Sequence, residues 1–131
     1  MSRALFEDRY VRLTFDEGQG LVRYVRTREP FPSLDGMRAT NERIRSAVAL
    51  LGRKDLKLLL DLRDAPPRND DDFEREVGRS LGAFLPGFRA HAMLVKTAVG
   101  RLQAQRMATG PGADRPPVFT TEADALAHLV A

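Results

Sequence analysis

Cysteine and tryptophan are both absent from the 131 residues, and aromatic surface is limited to two tyrosines and seven phenylalanines. The missing cysteine excludes a disulfide framework, thiol catalysis and thiolate-held metal. Histidine is scarce as well. His91 and His128 are far apart, no HExxH or similar spacing surrounds them, and both are expected to be structural or solvent-facing. No window approaches the ~20 apolar residues needed to cross a bilayer; the longest apolar runs are Leu58-Leu59-Leu60 and Ala92-Met93-Leu94-Val95. Arg3, Glu7, Asp8, Arg9 and Arg12 interrupt any apolar signal-peptide core near the start, so a cytoplasmic location is expected. Neither GxGxxG nor GxxxxGK[ST] occurs, and Ser33, Ser46 and Ser80 lack a GxSxG context. The expectation is a protein that is not an enzyme and has no cofactor and no bound metal.

What is present suits a folded chain. Hydrophobic residues make up 43% and charged residues 30%, too apolar for disorder and long enough for one domain over 1–131. The net charge is +3, and basic and acidic residues interleave except from Asp70 to Glu76, where five acids face one arginine. Eighteen of the 21 basic residues are arginines, spread almost evenly along the chain. That distribution reads as a compositional habit of a GC-rich genome, and no nucleic-acid partner is expected.

Hydrophobic periodicity organises the chain. Tyr10 to Phe15 alternates as a half-buried strand, Asp16 to Gly20 forms a turn whose two glycines can take positive φ, and Leu21 to Thr27 reads as the returning strand. Ser33 is placed to cap a helix with the stripe Leu34, Met37, Asn41, Ile44, Val48 and Leu51, which only Asn41 interrupts. Gly52 ends that helix, with Arg53 and Lys54 near its negative pole. Leu56 to Leu62 reads as a strand whose Leu58-Leu59-Leu60 run does not alternate, as in a parallel strand covered on both faces.

A proline loop precedes a second helix capped by Asn69 or Asp70, with Phe73, Val77, Leu81 and Phe84 as its buried stripe and Pro86-Gly87 as its end. Phe88 to Thr97 reads as a strand, and Gly100 to Ala108 as a helix with Leu102 facing inward. A loop through residues 110–117 leads to the short strand Val118-Phe119 and a last helix capped by Thr121. The expected fold class is α/β, a single-domain mixed sheet with helices packed against it, in the order β-β-α-β-α-β-α-β-α.

This order resembles the STAS domains, the group of anti-anti-sigma factors and sulfate-transporter tails, and within it the SpoIIAA-like branch, related in fold to SEC14-type lipid-binding domains. The resemblance rests on Leu58-Leu59-Leu60-Asp61-Leu62-Arg63-Asp64 leading into the second helix, and on the ending Val118-Phe119-Thr120-Thr121-Glu122-Ala123-Asp124-Ala125-Leu126. It implies a regulatory or protein-interaction module. In anti-anti-sigma factors a phosphorylatable serine stands at the start of the second helix. Asn69, Asp70, Asp71 and Asp72 occupy that segment here, so no hydroxyl remains to be phosphorylated. Acids there either mimic a phosphorylated state or simply cap a helix, and capping is the plainer reading.

Two further clusters are candidate contacts for an anion or ligand. Asp61 and Asp64 flank Arg63 at a strand end, where open α/β sheets place ligand sites and where two carboxylates can share acid–base work. A local ion pair or loop cap is the plainer reading of them. Lys96 and Arg101 border a helix start able to hold phosphate, though a tight turn needs no ligand. The resemblance thus leaves a non-catalytic module with an unidentified protein partner, with a homodimer through the first hairpin or a helix face as one form. The alternative is a SEC14-like domain holding a small apolar molecule or lipid between helices and sheet.

Overall fold

The computed structural model describes residues 2–52, 55–66, 70–107 and 117–130. Asn69, Arg53, Lys54 and most of the 110–117 loop lie outside the described residues. The elements are β1 (Ser2–Glu7), β2 (Val11–Asp16), β3 (Leu21–Arg26), α1 (Leu34–Ala49), β4 (Lys57–Asp61), α2 (Asp71–Phe84), a 3-10 turn at Leu85–Gly87, β5 (Ala90–Leu94), α3 (Ala98–Met107), β6 (Val118–Phe119) and α4 (Glu122–Val130). All six strands form one sheet in chain order, β1 to β3 antiparallel and β3 to β6 parallel.

β1 corrects the expected order, which began at β2. Its sequence does not alternate, because a bulge between Ala4 and Phe6 lets the adjacent Leu5 and Phe6 both reach the core. β2 is therefore paired on both sides, and the free edge expected for the first hairpin belongs to β1 instead.

Each parallel connection steps the same way across the sheet, so right-handed crossovers put α1, α2 and α3 on one face. Val11, Leu13, Phe15, Val22, Leu58, Leu60 and Met93 carry the core on that side, with Met37 and Ile44 of α1 above them. On the opposite face Leu21, Leu59, Ala92 and Leu94 pack against Ala125 and Leu129 of α4. β4 is buried from both sides, as its unbroken leucine run implies.

The two hydroxyl caps match the sequence, whereas Asp70 holds the N-cap position of α2 without a side-chain capping hydrogen bond. The Ser33 hydroxyl accepts from the Gly36 N–H at 3.0 Å, and that of Thr121 from the Asp124 N–H at 3.3 Å. Gly52 takes φ 62° after α1; in the hairpin turn only Gly20, at φ 63°, needs glycine's left-handed freedom. α3 departs from expectation. Gly100 is the position turned to the sheet, where an added Cβ would stand 3.7 Å from Val95 Cβ. Leu102 follows two residues later, about 200° around the helix, and is 67% exposed rather than buried.

Candidate functional site

Between the sheet and the helices α1, α2 and α3 lies a cavity of about 580 Å³. Its floor is Tyr24, Leu60, Met93 and Val95, one side is Met37, Asn41 and Ile44, and its roof is Phe73, Val77, Leu81 and Phe84. The roof is the apolar stripe of α2, turned inward as the periodicity requires. Its side chains are nonetheless only half-buried, and Glu76 is the one buried residue of that helix. The helix stands off the sheet and leaves room beneath.

Glu76 connects this roof to the neighbouring helix. Its carboxylate accepts from Arg38 Nε of α1 at 2.7 Å, from Arg79 at 2.8 Å and from the Ser80 hydroxyl at 3.3 Å. Burial pushes the Glu76 carboxyl up, but the arginine hydrogen bonds and charges outweigh it and hold the group below the usual range. Glu76 hides in the acidic run at sequence level. Its signal is its place with Ser80 on one flank of the Phe73–Val77–Phe84 stripe, facing inward.

Asn41, the one polar break in the α1 stripe, points at the cavity and accepts from the Tyr24 hydroxyl at 3.4 Å. Burial pushes that hydroxyl up to about 12, with Arg26 drawing it partly back and Asp8 adding to the rise. Arg26, 7% exposed, also lines the cavity. Its guanidinium donates to the carbonyls of Tyr10 at 2.6 Å and Glu29 at 3.2 Å, and lies 4.3 Å from the Phe31 ring centroid. Asp8 supports this end by accepting from the Tyr10 and Val11 N–H groups at 2.8 Å and from Thr40 of α1 at 2.9 Å. Sequence reading had no signal for Arg26 beyond an arginine closing a strand.

The residues singled out from sequence are placed apart. Asp61, 6% exposed, accepts from Arg63 Nε at 3.0 Å and from a terminal guanidinium nitrogen at 2.8 Å. Arg63 and Arg23 reach the same Glu122 oxygen at 3.2 and 3.4 Å, tying β4 and β3 to the start of α4. Asp64 is exposed on the following loop, and neither aspartate lines the cavity. Asp61 is thus engaged in a fork-to-fork ion pair.

Lys96 borders the cavity, whereas Arg101 does not, and the Thr97 hydroxyl takes up the Gly100 N–H at 3.0 Å at the start of α3. Asp70 stands at the N-cap of α2 with Asp71 and Asp72 in its first turn, where negative charge suits the helix pole. His91 is half-buried in β5, and His128 packs against Phe119 with ring centroids 5.6 Å apart. Among the described residues no group of three His, Asp or Glu is arranged to hold a metal, and no helix is long and apolar enough to cross a membrane.

Comparison with protein-family models, curated proteins and solved structures gives no match for this chain.

Proposed function

We propose that this chain is a non-catalytic, STAS-like α/β module that binds a small apolar molecule between its sheet and its helices, in the manner of SEC14-type domains. The observation that carries the reading is the cavity of about 580 Å³, with a largely apolar floor and roof and polar and charged side chains around them. Ligand sites span roughly 300–1,000 Å³ and have this composition, whereas packing voids are few and small. The Tyr24–Asn41 pair supplies a polar handle within it, of the kind that orients a bound molecule. A role in protein interaction draws on the same resemblance and on the acids that replace the phosphorylatable serine.

The test is native mass spectrometry of the purified chain, followed by titration of the delipidated protein with dodecanol. A copurified small molecule, or saturable one-site binding, is expected. Leu81→Trp, which places an indole in the roof, should abolish binding while retaining cooperative unfolding. No adduct and no saturable binding by the wild type would overturn the proposal.

A further inference from the structure

The charge lining the cavity is as distinctive as its apolar surface. Six basic side chains border it against two acidic ones, Glu42 and Glu76, and both acids already accept from arginines. Among the basic residues Arg26 differs from those at the rim. It is 7% exposed, and its guanidinium donates to the neutral carbonyls of Tyr10 and Glu29. Among the described residues no carboxylate lies within ion-pair distance of it. Carbonyls satisfy N–H groups without cancelling a charge, and a charge held away from water is costly until an opposite one reaches it.

Resting on the reading of the cavity as a ligand site, we infer that its occupant is an anionic amphiphile, a single carboxylate on a linear apolar chain. The head lies against Arg26, and the tail runs over Leu60 and Met93 beneath Leu81 and Phe84. Asp8 reaches Arg26 only through space and no carboxylate among the described residues is in ion-pair contact with it, so one negative charge on the head completes the contact and a monoanion suffices. At the roughly 30 Å³ that a water-sized group occupies in a liquid, about 580 Å³ admits a chain of fatty-acid length. The remaining guanidinium N–H groups suit a carboxylate, and Phe31, on the ring-facing side, keeps the plane in place.

The test compares four probes of equal chain length, each below its micellar concentration, by isothermal titration: dodecanoate, dodecanol, dodecyl phosphate and dodecyltrimethylammonium. Dodecanoate is expected to bind at least about tenfold more tightly than dodecanol, a difference of about 1.4 kcal/mol, and the ammonium probe most weakly. Arg26→Gln should remove that preference while leaving dodecanol binding in place. Should Arg26→Gln fail to fold, lowering the pH through the dodecanoate carboxyl range with wild-type protein should erase the preference instead. Equal binding of dodecanoate and dodecanol overturns the anionic assignment and leaves the cavity reading standing. Tighter binding of dodecyl phosphate overturns the single charge. A preference that survives in folded Arg26→Gln overturns the role of Arg26. Binding of no probe defeats the cavity reading itself.

Discussion

Truncating Phe73 to alanine measures how α2 sits on the sheet. A phenylalanine sealed in a packed core costs about 3–5 kcal/mol when cut to alanine, because the lost transfer energy and the new void add together. Phe73 is half-buried and already borders open space of about 580 Å³. Its removal enlarges that space rather than creating a dry void, so the void contribution drops out. Of the ring's area only about half leaves water on folding, and at about 25 cal/mol per Å² over ~100 Å² the transfer loss is about 2.5 kcal/mol. The sequence expectation of a fully buried ring is corrected accordingly.

Phe15 serves as the internal standard, since it is 1% exposed beneath the same layer and should cost the full about 3–5 kcal/mol. Urea unfolding of wild type, Phe73→Ala and Phe15→Ala, with equal m values, is the assay. Thermal midpoints should fall by about 3–6 °C per kcal/mol for a chain of this size. A loss at Phe73 equal to that at Phe15 would mean that α2 packs tightly on the sheet, and the cavity would not exist in solution.

Other consequences are smaller or more local. Glu76→Gln should cost about 1–2 kcal/mol in urea unfolding, less than a sealed ion pair because its arginine partners are in contact with water. A folded-state carboxyl held below its ordinary range means that the unfolded chain binds more protons. The Glu76 contribution is therefore present above the usual carboxylate value and is lost as pH falls through the folded one, so Glu76→Gln should flatten the acid limb of stability against pH. Asp61→Ala should destabilise by about 1–3 kcal/mol through the lost Arg63 fork, while Asp64→Ala should stay within about 0.5 kcal/mol. Ultraviolet titration of Tyr10→Phe should show Tyr24 ionising near 12, and a midpoint near 10 would place its hydroxyl in water. Serine-kinase treatment followed by peptide mapping should find no phosphate on Asp70 to Phe73, since that stretch offers no hydroxyl.

The alternation of Val11, Leu13 and Phe15, the unbroken leucines of β4 and the hydroxyl caps at Ser33 and Thr121 are visible in the sequence by itself. Each depends on near neighbours along the chain, and period and capping are local properties. β1 escaped because a bulge replaces alternation with two adjacent inward residues, a pattern that only its pairing with β2 explains. Leu102 misled because one leucine on a helix cannot say which side faces the sheet; the close approach of Gly100 to Val95 decides it. Beyond the resemblance to SEC14-type domains, the residues foreshadow the cavity through Asn41, which breaks the α1 stripe. Its volume depends on how far α2 stands from the sheet, and α2 is held to α1 by the Arg38–Glu76 bond across 38 residues. That standoff, and the burial of Arg26 beside it, are set by long-range packing, so tertiary structure alone decided where this protein has room for a ligand.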